Sequence, residues 1–284
     1  MRYRILYILI FSFSLFAVPI TFAKDQSFYD RIDFSNTDFE GLIRNKGKGE
    51  YKIRTVQPIS IDEDNGDTIF LQGMVGNFSQ FGKYRLGTNL GIGNRIFSDD
   101  FTKMYGYNFF YDSEPDPGHH RIGAGLEYKQ SKFGISNNYY KAVSGKRAYG
   151  AASLDEEVLD GVDIIISGLV PKLYWIETDL SYAHWNSVAS SDLNELKLGF
   201  GFNINDYLSI NLQAEHDNLN SISYNAGISF NVGGKKSHKP SLLGSNQGAP
   251  VEDMRVYNLE PVKRSEKITL EQSGGFTVKI KKSG

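Results

Sequence analysis

"YLSINLQAEHDNLNSISYNAGISFNV" (Tyr207–Val232) alternates apolar and polar residues almost without a break. Successive side chains of a strand point to opposite faces, so Leu208, Ile210, Leu212 and Ala214 fall on one side and Ser209, Asn211, Gln213 and Glu215 on the other. The second half repeats the pattern, with Ile222, Tyr224, Ala226, Ile228, Phe230 and Val232 set against Ser221, Ser223, Asn225, Gly227, Ser229 and Asn231. The intervening "NLN" marks a hairpin turn.

The same period of two extends towards the N-terminus. "LKLGFGFNI" and "YWIETDLSYAHW" alternate in the same way, and "GVDIIISGL" and "FGISNNYYKAV" do so less regularly. Further upstream lie "HRIGAGLEYK", "MYGYNFFYD", "YRLGTNLGIGNRIF", "DTIFLQGMVGNF", "EYKIRTVQPI" and "IDFSNTDFEGLI". The series predicts about twelve antiparallel strands of roughly ten residues, an even number as a closed bacterial outer-membrane barrel requires. The fold class is therefore all-β. Tight joints at Ser131, Pro171 and Asn205 fall on the expected periplasmic side, and the longer "SGKRAYGAASLDEE" and "NSVASSD" on the expected outer side.

A soluble β-sandwich would also alternate. Two features favour the barrel: Tyr174, Tyr182, Tyr207 and Tyr224 stand near strand ends, where membrane girdles sit, and the opposite faces stay polar or glycine over consecutive strands. The segment before the strands fits secretion. Arg2 and Arg4 precede the apolar run "ILYILIFSFSLFAVPI", and small residues flank a cleavage point after Ala23. The expected organisation is a signal peptide over 1–23, a barrel over 24–232 and a linker with a short tail over 233–284.

The expected lumen is lined by Arg85, Gly87, Gly91, Gly93, Arg95, Arg121, Gly123, Gly125, Glu127, Glu177, Asp179, Glu195, Lys197, Gly199 and Gly201. Glycine weakens a strand, so this many implies either sharp curvature or space kept for another segment. The charges can be hydrated or can pair with a threaded polar peptide. After Val232, "GGKKSHKPSLLGSNQGAP" reads as a flexible linker, with β-like runs following at "KITLE" and "FTVKIK". Fully extended, this tail would reach more than about 150 Å, ample to thread a membrane core of roughly 30 Å.

Catalytic and metal chemistry find little support. The chain has no cysteine, and its formal net charge of -2 gives no reason to expect nucleic acid as a partner. No G-x-S-x-G elbow is present, and the G-x-G stretches do not open a helix. His184 and His216, with Asp179 and Asp217 in the region, would be the candidates for a barrel hydrolase, but interfacial strand-end histidines are the commoner case. His119 and His120 are adjacent and would point to opposite faces, so a cation site with Asp112, Glu114 and Asp116 is less favoured than an acidic turn. The expectation is no catalytic, metal or cofactor site.

Several stretches, taken in order, resemble a known family. "NLGIGNRIF", "MYGYNFFYD", "GHHRIGAGLEYK", "NNYYKAVSG", "GVDIIISGLVP", the paired C-terminal strands and "VYNLEPVKRSEKITLE" resemble the barrel of the inverse autotransporters, the intimin and invasin family. The resemblance implies a twelve-stranded outer-membrane barrel whose C-terminal linker passes back through the pore to display extracellular domains that bind host or bacterial surfaces. It also implies insertion by the barrel assembly machinery through a last-strand signal at Asn225, Gly227, Phe230 and Val232. Lipid and lipopolysaccharide would surround the barrel. Two family tryptophans are absent, one after the glutamate of "GLEY" and one after "SG", where Lys146 and Arg147 stand. The tail after the barrel is too short for an immunoglobulin-like domain of about 100 residues. The chain would then export a separately encoded passenger or display its own short C-terminal segment.

Overall fold

A computed structural model describes residues 33–45, 47–131, 133–149, 154–220, 222–234, 252–274 and 277–281. The expected signal peptide at 1–23 and most of the expected flexible linker lie outside these residues. No helix among the described residues is long and apolar enough to cross a membrane.

Twelve antiparallel strands close into a barrel. In chain order these are β1 (Thr37–Arg44), β2 (Glu50–Ile61), β3 (Thr68–Gln80), β4 (Lys83–Phe97), β5 (Lys103–Glu114), β6 (His119–Gln130) and β7 (Phe133–Ala142), then β10 (Asp160–Val170), β11 (Leu173–Asn186), β12 (Leu193–Asn203), β13 (Leu208–Asp217) and β14 (Ser223–Asn231). Between β7 and β10 lie β8 (Arg147–Tyr149) and β9 (Leu154–Val158); β15 (Leu270–Gly274) and β16 (Thr277–Lys281) follow the barrel. Pairing of β1 with β14, from Asp38 opposite Asn231 to Arg44 opposite Asn225, closes the ring. Closure leaves no open edge, so every strand finds ladder partners on both sides.

The predicted strands are matched one for one, with three differences. The strand expected from Ile32 starts only at Thr37, because the Asp33 carboxylate accepts the Ser35 amide at 2.8 Å and caps a 3-10 turn at Phe34–Asn36. The loop expected between β7 and β10 contains β8 and β9. The tail, expected as a linker able to thread the pore, does run inside the barrel over residues 252–274, but with most of its side chains wholly or partly buried instead of free.

Alternation sorts the wall into two faces. Ile53, Ile92, Phe109, Leu126, Leu180, Leu198, Ile210 and Ile228 point outward and are exposed, as are Tyr107, Tyr182, Tyr207 and Tyr224. An apolar outer belt of this extent is costly in water and suited to lipid. Pro58 cannot donate to the ladder, and the β2–β3 register shifts between Pro58 and Ser60.

The end where β1 begins and β14 finishes is called the lower end. Its connectors are compact. In Ser98–Thr102 the Asp100 carboxyl accepts from the Ser98 hydroxyl (2.6 Å) and from the amide and hydroxyl of Thr102, which holds its pKa down to about 2. The longest connector, between β7 and β10, lies at the upper end, where β8, β9, β15 and β16 form a separate four-stranded sheet.

Candidate functional site

An extended segment without strand neighbours must still satisfy its backbone groups, because an unpaired buried N–H or C=O is costly. Residues 252–269 solve this mainly with the inward side chains of the wall, before β15 takes up strand partners. At the lower mouth the Met254 amide donates to the Phe101 carbonyl (2.8 Å) and the Glu252 amide to the Ser131 hydroxyl (2.8 Å). Met254 packs with Phe97 and Met104, and Arg255 stacks over Phe101. Gly66 has a φ of +80°, and a Cβ there would press into the Arg255 side chain.

Higher up, Arg95 donates to the carbonyls of Tyr257, Asn258 and Glu260 at 3.3, 2.8 and 2.7 Å. Gln72 accepts the Val262 amide (2.8 Å), and Asn138 and Asn89 donate to the carbonyls of Lys263 (3.1 Å) and Glu266 (3.0 Å). The Ser265 amide donates to the Tyr140 hydroxyl (2.8 Å) and to Asp163 (3.1 Å), and Arg121 donates to the Ser265 carbonyl (2.6 Å). Gln80 donates to the Ile268 carbonyl at 2.8 Å. The wall thus reads the segment's main chain over most of its buried length.

Charged side chains add a second set of contacts. Lys263 pairs with Asp179 (2.6 Å), Glu266 with both Lys52 and Arg54 (2.6 Å each), and Lys267 with Glu50 (3.1 Å). At the centre Arg264 donates to both oxygens of Asp112 (2.9 and 2.6 Å) while Arg121 also reaches Asp112 (2.8 Å). Arg264 lies over the Phe110 ring (4.2 Å) and Arg121 over Tyr140 (4.2 Å). Charge-assisted, two-pronged bonds of this kind are strong and geometrically selective.

Several of the expected lumen glycines make room for a neighbouring wall side chain, and one makes room for the segment itself. A Cβ on Gly87 would stand 2.7 Å from the Phe78 ring, and Gly91 and Gly93 lie equally tight beneath Phe110 and Phe70. Phe70 and Phe110 in turn pack with Val56 against Val262 of the segment. Gly125 lies under the carboxamides of Asn108 and Asn138, and Gly123 faces Arg264 directly, at 3.2 Å from a built Cβ. Gly91, Gly93 and Gly125 thus make room for Phe110, Phe70 and Asn138, which meet the segment, and Gly123 makes room for the segment's own Arg264.

The remaining expected lumen residues divide by wall. Arg85 donates to Glu156 of β9 (2.7 and 2.5 Å), and Arg95 also pairs with Glu127 (2.9 Å). Glu177, Asp179, Lys197, Gly199 and Gly201 face a polar cavity of about 410 Å³ between the segment and the β11–β14 side. Glu195 is buried beside Lys197 at 3.4 Å. The sequence reading omitted Gln72, Gln80, Asn89, Asp112, Asn138, Tyr140 and Asp163 as lumen groups; all occupy inward positions of the alternation, which was the available signal.

His119 and His120 do point apart, but only one is a surface group. His119 is buried, with Nε2 3.3 Å from Glu156, while His120 faces outward and stacks on Tyr111. Asp112 and Glu114 are buried and paired with arginines, so these two belong to an interior charge cluster, while Asp116 stays exposed on the turn. His184 lies on the outward face, its ring nitrogens 2.9 and 3.2 Å from the carboxamide oxygens of Asn194 and Asn186, and His216 is exposed. No group of His, Asp and Glu suited to a metal ion occurs among the described residues. In the last strand, Asn225 points inward to Gln213 and Glu215, and a Cβ on Gly227 would stand 2.9 Å from the Gly41 carbonyl oxygen. Phe230 faces outward, and the Val232 amide donates to Thr37 (2.9 Å).

The family model of the inverse autotransporter β-domain matches residues 35–234. The chain belongs to the inverse autotransporter family. It is 33% identical to the intimin of Escherichia coli O111:H- over 102 residues, 36% of this chain and 11% of that protein. It is 31% identical to the invasin of Yersinia enterocolitica over 113 residues, 38% of this chain and 13% of that protein. The match therefore spans a small part of these relatives. A solved structure described as "Unveiling the Mechanism Behind the in-meso Crystallization of Membrane Proteins" shares the fold, with a TM-score of 0.65 at 22% identity over 84% of this chain and 99% of its own. This inverse autotransporter is a protein of the bacterial outer membrane. Even-stranded barrels of that membrane have both ends of the strand series in the periplasm, so the lower end is periplasmic and the upper end faces outward.

Proposed function

We propose that the barrel is a membrane anchor and conduit for its own C-terminal segment, which it exports and then holds in place for display outside the cell. One observation carries this reading: residues 252–274 run from the periplasmic mouth to the outer mouth, with main chain and charges bound by the wall at each level. The closed wall keeps backbone groups away from lipid. No nucleotide is needed, because capture of the emerging chain outside makes passage directional.

The same geometry supports display of the chain's own segment over export of a separately encoded passenger. A crossing chain needs roughly nine extended residues for a 30 Å core. The lumen already holds residues 252–269, bound to the wall at successive levels, and a second crossing chain would have to displace them. The role is one of binding and display, not hydrolysis, and its partners are outer-membrane lipid and lipopolysaccharide, the barrel assembly machinery reading Asn225 to Val232, and a host or bacterial surface outside. An epitope placed after Gly284 tests the reading. Protease treatment of intact cells is expected to remove it, whereas protection until the outer membrane is permeabilised would sink the proposal.

A further inference from the structure

At the outer mouth β15 lies antiparallel to β9, and the register sets Glu271 directly opposite Glu157. Two like charges facing each other across a strand pair are destabilising, so strand pairing alone does not account for a glutamate at this position. The other side of Glu271 supplies the reason. Its carboxylate, 2% exposed, accepts the Ser187 hydroxyl (2.7 Å) and the amides of Val188 (2.9 Å) and Ala189 (3.1 Å). These donors belong to the exposed β11–β12 connector, where the Ser187 hydroxyl oxygen also accepts the Ser190 amide (2.8 Å). Successive backbone amides turned towards one point form an anion-binding hollow, and this one is filled by a residue of the segment.

We propose that Glu271 is the positioning residue that stops the segment, its capture by the Ser187–Ala189 hollow fixing the register at which outward passage ends. The inference rests on the export reading above. The contacts deeper in the lumen hold main chain and charges at several levels, and the β9 ladder with the Leu159 amide holds the segment's backbone at the outer mouth; Glu271 adds a carboxylate held by backbone donors of the β11–β12 connector. A slip of one residue would turn its carboxylate to the opposite face of β15. A slip of two would take it past the hollow.

The chain has no cysteine, so introduced pairs report register without background. Ser273→Cys with Asp155→Cys joins residues that are partners in the observed register. Gln272→Cys with Leu154→Cys meets only when the segment has run two residues further out. In cells, with folded barrel normalised by heat-modifiable mobility, Glu271→Ala is expected to lower the first cross-link relative to the second on the order of tenfold, as loss of charge-assisted bonds implies. Val188→Pro, which removes one donor, is expected to shift the ratio in the same direction, and Glu271→Gln to fall between. A wild-type ratio in both Glu271→Ala and Val188→Pro overturns the stop. A tag after Gly284 is scored in the same cells: its absence from the surface of the parent strain overturns export, while the cross-link ratio still reads the register.

Discussion

Asp112 concentrates the chemistry of the lumen in one side chain. It is fully buried and receives Arg264, Arg121 and Asn89, tying the segment to β4, β5 and β6 at once. Removing a single partner from a buried charge pair strands the others, at a cost of about 3 to 5 kcal/mol. Asp112→Ala is therefore expected to lower the unfolding free energy of the detergent-solubilised protein by that order, read as a lower urea midpoint, and adding Arg264→Met to recover part of the loss. A midpoint equal to the parent's would mean that the clamp contributes nothing. Gly91 makes a different demand, because its missing side chain is the seat of the Phe110 ring. Gly91→Ala should destabilise by roughly 1 to 3 kcal/mol through overpacking, and Phe110→Leu should relieve it. An additive loss in the double variant would show that the two residues do not share this space. The inward parity of both positions was legible in the sequence. Their partners were not: Asp112 and Arg264 stand 152 residues apart, and no local pattern joins them.

At the scale of strands, the period of two did most of the prediction, since one face meets lipid and the other the lumen along the full height of the wall. Ile210 and Asn211 on β13 test this directly. Ile210 is outward and exposed, whereas Asn211 faces inward and donates to the Ser229 hydroxyl at 2.7 Å. Lysine in place of Ile210 is expected to cost about 2 to 4 kcal/mol and to reduce barrel yield in the outer membrane, while lysine in place of Asn211 should assemble normally. Equal yields would invalidate the register. Short elements were harder to read. β8 and β9 escaped the sequence because β9 owes its second ladder partner to β15, more than a hundred residues later. The strand pattern of "KITLE" was visible, but not that its outer residues would complete a sheet over the pore.

For the molecule as a whole, the outer mouth is built jointly by the wall and the segment. The amide of Leu159 donates to the Thr269 carbonyl (3.0 Å), Glu156 is held by Arg85, and the β11–β12 connector closes on Glu271. A chain lacking residues 252–284 is expected to keep its barrel but to release the connectors at 154–159 and 187–192 from their anchors, with cleavage there by external protease rising on the order of tenfold. Unchanged cleavage in a heat-modifiable barrel would show that these loops close by themselves. The sequence by itself determined the strand count, the inward and outward faces and the membrane destination, because alternation is a local property that a lipid boundary enforces on every strand. Only the tertiary structure decided what fills the lumen. The segment's course through the lumen depends on wall groups drawn from distant strands, which converge on Val262–Lys267 only once the barrel has closed around it.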